Sequence, residues 1–341
     1  TSPGEEGARD RAPRRDVSDP GPPVPARPLP LSARAPGKCI LFGEHAVVHG
    51  KPELVLAIDL YTQVGVRVAP TTTLNGDRDA RNQNGYFRTA LERLWPEGPP
   101  IEVTAVSRIP RAAGLGSSAA FVAAIASALG AATGGITRAQ LAETSFGIER
   151  GAQGVGSPGD TSAVTGGGYV SLNGGSGVPL WSIQEGGAEW NVRRLPDPGW
   201  VWLVASSGVP RSTGEAVRAV GRRLEAPDGP ELLRQFAAIA ESGIRAVIRE
   251  DRAEIGPLMD QNQQLLREVG VSHPRLEALL KAAAPSSEGA KLTGAGAGGS
   301  IVVLPRAGRE METARQIARA GGVPYVVRVS SEGARLVDSA R

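Results

Sequence analysis

The densest apolar stretch of the chain runs from Ala119 to Leu129, where almost every position carries an apolar side chain. A helix that is apolar on all its faces is expected to be buried in a domain centre. The segment before it, from Pro110 to Ser118, reads P-R-A-A-G-L-G-S-S, and its glycines permit a tight turn with positive φ. The pattern therefore predicts a Gly-rich loop that leads directly into a central helix.

Shorter patterns predict the rest of the first half. A long Gly-rich stretch at 151–168 is expected to be an irregular, functional loop, and residues 70–83 carry few apolar groups and read as a loop. Thr137 is a candidate N-cap for a helix that continues through Arg150. The other predicted elements are an amphipathic helix at 86–94 and strands at 40–42, 54–58, 62–68, 101–106 and from Tyr169 onward.

The second half mixes strands with paired helices, which predicts an α+β domain. A change of composition near 174–177 indicates the boundary, so we expect domains at 31–175 and 176–341. Residues 1–30 are rich in Pro, Arg, Asp and Gly and are expected to form a disordered tail. The predicted elements are a strand at 200–205, helices at 213–224, 230–249, 253–268 and 273–283, and a final strand, Gly loop, strand, helix, strand, strand series over 290–337.

Composition narrows the class of protein. The 341 residues suffice for two domains. The small excess of Lys+Arg, 38 against 35 for Asp+Glu, is only weak evidence for nucleic-acid binding. An aromatic content of 4% argues against the base-stacking surfaces that single-stranded nucleic-acid binders use. One cysteine, Cys39, excludes an internal disulfide and suits a reducing, cytoplasmic setting. No run of apolar residues in the sequence approaches the length that a membrane-spanning helix requires. We expect small-molecule partners, neither nucleic acid nor membrane, and leave a homodimer open.

The loop before the central helix has the properties of an anion site. Free amide groups and the helix dipole at the N-terminus favour a phosphate, and serine hydroxyls at 117 and 118 could bind it or its Mg²⁺.

No lysine follows the glycines, so this is not a Walker loop. A formal dinucleotide fingerprint at Gly294 precedes a predicted strand instead of a helix. A tight turn with a serine cap is the alternative. The nucleotide set is Pro110, Ala113, Gly114, Leu115, Gly116, Ser117, Ser118 and Ala119.

Three charged residues are candidates for chemistry. Glu149 could share Mg²⁺ with a serine, and Asp160 could accept the proton of a substrate hydroxyl. Lys38 beside Asp160 would lower the pKa of that hydroxyl and neutralise charge on a transferring phosphoryl group. Taken singly, a residue of each kind is more often a surface or turn residue than a functional one. His45 and His49 have metal-ligand spacing, but without a third ligand we expect hydrogen bonding or core support.

Three segments together resemble motifs of the GHMP kinases. They are P-G-K-C-I-L-F-G-E-H-A-V-V-H-G from Pro36, P-R-A-A-G-L-G-S-S-A-A from Pro110, and K-L-T-G-A-G-A-G-G-S from Lys291. The last of these, taken alone, could also be a glycine-kinked hairpin. G-S-P-G-D-T from Gly156 and V-P-R-S-T from Val209 resemble the members that phosphorylate mevalonate, especially the archaeal type.

This resemblance implies a two-domain α+β fold, with an N-terminal domain like ribosomal S5 domain 2 and a ferredoxin-like C-terminal domain. It implies ATP-dependent phosphorylation of the C5 hydroxyl of mevalonate, with Asp160 as base, Lys38 as its partner, and Ser118 or Ser117 with Glu149 on Mg²⁺. ATP would lie between the domains with its phosphates around Gly114. The acceptor is expected to contact Glu44, His45, Thr213, Gly294 and Ala295.

The chain also departs from the family pattern. Gln153-Gly154 replaces a frequent histidine-glycine pair, Pro158 replaces a usual glycine, and Ala297 stands where glycine is common. A sister kinase for phosphomevalonate, homoserine or a sugar is the alternative, and a phosphorylated acceptor would require extra cations such as Arg111 or Arg211. A catalytically silent binding protein is the third hypothesis, although Lys38, Glu149 and Asp160 are all present.

Overall fold

The computed structural model describes residues 23–154, 156–210 and 213–338. Within these ranges the first domain is built on a mixed sheet of eight strands, whose main path runs β12-β1-β2-β5-β7-β6, with β4 paired to β2 and the short β3 to β4. The predicted strand positions are confirmed, although β1 is much longer than expected and the two strands predicted at 54–58 and 62–68 form one continuous strand, β2. The bounds are β1 Leu31–Phe42, β2 Glu53–Val68, β3 Thr73–Leu74, β4 Ile101–Ser107, β5 Tyr169–Leu172, β6 Val178–Glu185, β7 Ala188–Leu195 and β12 Arg335–Val337.

Five helices of the described chain accompany this sheet. The central one, α3, is buried along almost its whole length, as its apolar composition predicts. Its neighbour α4 starts at a capping box, in which Thr137 and Gln140 satisfy each other's free backbone amides. The bounds are α1 Ala80–Gln83, α2 Gly85–Leu94, α3 Ser117–Ala132, α4 Arg138–Gln153 and α5 Gly159–Gly166.

Two predictions for this half were wrong. The segment 70–83 contains β3 and α1 and is not a plain loop. More importantly, the Gly-rich stretch at 151–168 includes α5, a helix of eight residues. Glycine lowers helix propensity, but α5 packs against α3, α4 and β2, and tertiary contacts of this kind override a weak local preference.

The second domain carries an antiparallel sheet with the order β11-β8-β10-β9. The predicted α+β mixture is confirmed, and every predicted helix appears within a residue or two of its expected bounds. The elements are β8 Trp202–Ser206, α6 Thr213–Leu224, α7 Gly229–Ile248, α8 Arg252–Glu268, α9 Pro274–Ala283, β9 Ser287–Thr293, β10 Ser300–Pro305, α10 Glu310–Arg319 and β11 Val323–Val327.

The two domains share one large core and several polar contacts. The indole of Trp202 donates a hydrogen bond of 2.8 Å to the Tyr169 hydroxyl, and the Thr293 hydroxyl donates one of 3.0 Å to the Ile40 carbonyl. The first sheet continues through β6 and β7 to Leu195, beyond the boundary expected at 175, and β12 returns to it from the C-terminal end. We therefore draw the boundary between β7 and β8.

The segment just before β1 is ordered, which differs from the expected tail. Val24 is buried and forms a bridge with Ile136, and the Arg27 amide donates to the Ala131 carbonyl at 3.0 Å. The disorder expected for 1–30 therefore does not extend over 23–30, and residues 1–22 lie outside the described part of the chain. One apolar side chain, Val24, anchors a stretch whose composition alone predicts no order.

Candidate active site

A cavity of about 710 Å³ opens between the Gly-rich loop, α4, α5 and the glycines before β10. Its wall includes most residues that the sequence selected, although they come from distant parts of the chain. Those lining it are Lys38, Glu44, His45, Pro110, Ala113, Gly114, Gly116, Ser117, Ser118, Glu149, Asp160, Gly294 and Ala295.

Lys38 and Asp160 meet in this cavity as predicted. The Lys38 Nζ lies 2.8 Å from Asp160 Oδ1, and the lysine side chain is 1% exposed while that of Asp160 is 35% exposed. Lys38 projects from β1, opposite Ala57 of β2, and its backbone amide donates to the Leu115 carbonyl at 3.0 Å. The ammonium is thus buried and fixed, and the carboxylate presents its free edge to the cavity.

Asp160 lies in the first turn of α5, not in a loop as expected. The other end of this helix is held by two arginines: Arg194 donates to the Gly166 carbonyl at 2.5 Å, and Arg138 donates to the Thr165 carbonyl at 3.4 Å. Cations suit the partial negative charge of a helix C-terminus. A carboxylate on a short, capped helix is more precisely placed than one on a flexible loop.

The Gly-rich loop has the backbone that the sequence predicts. Gly114 and Gly116 have φ of 80° and 76°, and Gly116 immediately precedes α3 at Ser117. The loop therefore brings the free amides of the α3 N-terminus to the cavity. Leu115 and Ala119 were predicted to bind nucleotide, but both side chains are fully buried in the core and do not line the cavity.

Ser118 and Glu149 form a second polar pair on the cavity wall. The Ser118 hydroxyl donates to Glu149 Oε1 at 2.7 Å. Burial, helped by the negative charge of Asp160, raises the pKa of Glu149 to about 7. A hydroxyl and a carboxylate beside a phosphate site are donors that Mg²⁺ prefers, and phosphate oxygens and water would complete its coordination. Within the ranges the structure describes, no group of three or more His, Cys, Asp or Glu residues is placed so that it could hold a metal ion.

We call the part of the cavity wall formed by Lys38, Glu44, His45 and Asp160 the acceptor side, after the role that the family resemblance implies for these residues. Glu44 and Lys291 form a salt bridge in which both side chains are almost fully buried. The His45 Nε2 lies 3.1 Å from the Ala295 carbonyl oxygen, so His45 joins the two domains. Thr213 was expected to bind the acceptor, but its side chain lies outside the described residues.

Among the cavity-lining residues that the sequence analysis did not select for the site, Tyr86 and Glu53 have side chains that bear on its chemistry. Tyr86 of α2 accepts a hydrogen bond of 2.6 Å from Gln153, one of the positions that depart from the family pattern. Glu53, the first residue of β2, is 1% exposed and lies against α5. Neither belongs to a motif, and an acid at the start of an apolar strand was the only signal for Glu53.

The sequence of this chain is similar to two family models and to proteins of known function. Residues 85–168 match the N-terminal domain of GHMP kinases, and residues 244–323 match the GHMP kinase C-terminal domain. The chain is 32% identical to a mevalonate kinase of Pyrococcus horikoshii, over 91% of this chain and 98% of that protein.

Two solved kinase structures have the same fold as this chain. The L. major mevalonate kinase in complex with R-mevalonate has a TM-score of 0.74 at 22% identity, covering 92% of this chain and 99% of that one. A galactokinase of Lactococcus lactis complexed with galactose reaches a TM-score of 0.72 at 16% identity, covering 89% and 94%. Since both match about equally well, these structures support the fold and do not select an acceptor.

Proposed function

Because the chain belongs to the GHMP kinase family, we propose that it transfers the terminal phosphoryl group of ATP to the C5 hydroxyl of mevalonate. The single observation that carries the proposal is the Lys38–Asp160 contact of 2.8 Å in the same cavity as the Gly-rich loop. The similarity to archaeal mevalonate kinases, which match 91% and 80% of this chain, favours this acceptor.

Asp160 and Lys38 supply the chemistry on the acceptor side. We propose that Asp160 accepts the proton of the C5 hydroxyl through its cavity-facing edge. The ammonium of Lys38 stabilises the negative charge that develops on the attacking oxygen and on the phosphoryl group. Since phosphoryl transfer depends mainly on positioning and charge, a fixed base and a buried cation beside a phosphate site are sufficient protein groups.

The Gly-rich loop and α3 would hold the nucleotide. In our proposal the amides around Gly114 and Gly116 bind the phosphates, and Ser118 and Glu149 would hold Mg²⁺, with Ser117 as the neighbouring hydroxyl. The ion supplies charge neutralisation on the phosphate oxygens when bound. The raised pKa of Glu149 fits this role, because a nearby cation favours the ionised carboxylate that burial opposes.

The direct test is a coupled ADP-release assay with a panel of acceptors: mevalonate, phosphomevalonate, homoserine and galactose. We expect turnover with mevalonate and at most a small fraction of that rate with the others. Activity on another alcohol with none on mevalonate would reject the assignment. Phosphomevalonate belongs in the panel because Arg111 lines the cavity and offers a cation for a second phosphate, while Arg211 lies outside the described part of the chain.

The cytoplasmic location stays a prediction. The homodimer stays an open alternative. Among the described residues, no helix combines the length and apolar character that a membrane crossing requires.

A further inference from the structure

The carboxyl group of Glu53 has no partner in the described protein. Its side chain is 1% exposed, and its Oε2 is buried and makes no hydrogen bond to any described residue. Unpaired buried carboxyls are costly, because the group loses its hydrogen bonds to water without replacing them. Glu53 nevertheless lines the cavity, so a bound molecule could reach it.

The neighbouring backbone shows that the position is built around this carboxyl. A Cβ atom at Gly159 would lie 2.0 Å from Glu53 Oε2, so the absence of a side chain at 159 makes room for Glu53. Gly159 immediately precedes Asp160 in α5. On its own sheet, Glu53 stands opposite Leu172 of β5, which offers no polar side chain. The carboxyl therefore packs against the residue next to the proposed base, on the wall of the same cavity.

The charges that face Glu53 come from three elements. Asp160 on α5 and Glu44 after β1 are negative, while Lys38 on β1 is positive and already contacts Asp160. Lys291 contacts Glu44, so the acceptor side holds two matched ion pairs and one extra acid. Burial first, and then the charge of Asp160, raise the pKa of Glu53 well above its ordinary value. A neutral carboxyl keeps one O–H donor.

We propose that Glu53 is a specificity-determining residue that donates a hydrogen bond from its carboxyl to an oxygen atom of an anionic acceptor. This rests on the proposed function, since mevalonate carries a carboxylate and hydroxyl groups. In its protonated form Glu53 adds a donor without adding charge, and an ionised Glu53 would repel the anionic acceptor and lose the donor. Acceptor affinity is thereby coupled to the protonation of a residue that takes no part in the proton transfer itself.

The first test compares Glu53→Met, which keeps the volume and removes the donor, with Glu53→Gln, which restores an N–H donor. We expect Glu53→Met to raise the KM for mevalonate about tenfold with little change in the KM for ATP, because one hydrogen bond to a charged group is lost. Glu53→Gln should recover most of that loss. The same two substitutions at Glu189, an exposed acid on β7, are the matched controls and should leave both KM values unchanged.

The second test takes its main readout from the wild-type protein and uses Glu53→Gln as the comparison. Mevalonate binding to the wild-type protein is measured by titration calorimetry between about pH 6 and about pH 9.5, a range that covers values documented for buried glutamates. We expect affinity to fall as the pH rises through the pKa of Glu53, with proton uptake on binding, because the acceptor favours the protonated form. Glu53→Gln should lose both effects.

Three results would contradict the inference. They are an unchanged mevalonate KM in Glu53→Met, an equal rise in both KM values in Glu53→Met, and proton uptake that is the same in wild type and Glu53→Gln. If the wild-type protein phosphorylates mevalonate normally in these cases, only the role of Glu53 is rejected. If the wild-type protein neither binds nor phosphorylates mevalonate, the proposed function and this inference both fail.

Discussion

Gly116 leaves the space that the Lys38 side chain occupies. A Cβ atom built on Gly116 would lie 2.6 Å from Lys38 Cγ, and the Lys38 backbone amide is bonded to the carbonyl of the preceding residue, Leu115. The proposed phosphate loop and the proposed catalytic lysine therefore share one packing contact. A change in the loop is transmitted to the ammonium without any change in charge.

We predict that Gly116→Ala lowers kcat about a hundredfold, because a displacement near 1 Å in a positioned catalytic group has an effect of that order. Gly116 also has a φ of 76°, so alanine there would suffer backbone strain as well. Gly76→Ala is the control, since Gly76 has a φ of 80° and open space around its Cβ position. Both variants should lose stability in urea unfolding, but only Gly116→Ala should lose activity. Equal kcat values in the two variants would show that the Lys38 contact has no catalytic effect.

Asp160→Asn keeps the shape of the side chain and removes the proposed base. We predict a fall in kcat of about 10²- to 10⁴-fold, which is the usual contribution of a positioned general base. ATP binding, followed by titration with a fluorescent ATP analogue, should change little because the proposed contact of Asp160 is with the acceptor and not with the nucleotide. Asp260→Asn on the exposed face of α8 is the control. Near-normal turnover in Asp160→Asn would exclude Asp160 as the base.

The buried Lys291–Glu44 salt bridge predicts a specific pattern of stabilities. Burial lowers the pKa of Lys291 and raises that of Glu44, while their contact opposes both shifts. Lys291→Met leaves Glu44 as an unpaired buried acid, and we expect a loss of about 3–5 kcal/mol in the free energy of unfolding. The double variant Lys291→Met with Glu44→Gln should be more stable than Lys291→Met alone in urea unfolding. A double variant that is less stable than the single one would contradict the claim that the loss in Lys291→Met comes from the unpaired Glu44 carboxyl.

Ala297 adopts the left-handed backbone region, with a φ of 59°, at a position where glycine is common in the family. Left-handed backbone costs a non-glycine residue about 1–2 kcal/mol, and the added chain entropy of glycine offsets part of that gain. We therefore predict that Ala297→Gly stabilises the protein by about 0.5–1 kcal/mol. Ala307 is also an exposed loop alanine, but it does not have positive φ. Ala307→Gly should therefore not raise the stability of the protein. Thermal unfolding of the two variants checks the difference, and equal melting temperatures would contradict it.

Local features of the sequence determined a large part of this structure. The buried helix α3, the positive φ values of Gly114 and Gly116, and the Thr137 cap all follow from short-range rules, because they depend on neighbours within one or two turns. Lys38, Asp160 and Glu149 were selected by residue chemistry together with the family resemblance. Their convergence in one cavity required the tertiary structure, since no local rule relates β1 to α5.

Only the tertiary structure decided the helical state of α5, the pairing of Glu44 with Lys291 and the buried position of Glu53. Each depends on packing between segments that are distant in sequence, and Glu44 and Lys291 are 247 residues apart. A glycine-rich stretch becomes a helix when neighbouring elements stabilise it, and an acid in a strand becomes a ligand candidate when folding removes it from water. The sequence specifies which chemical groups are present, whereas burial and proximity, which set their charge and partners, arise only in the folded chain.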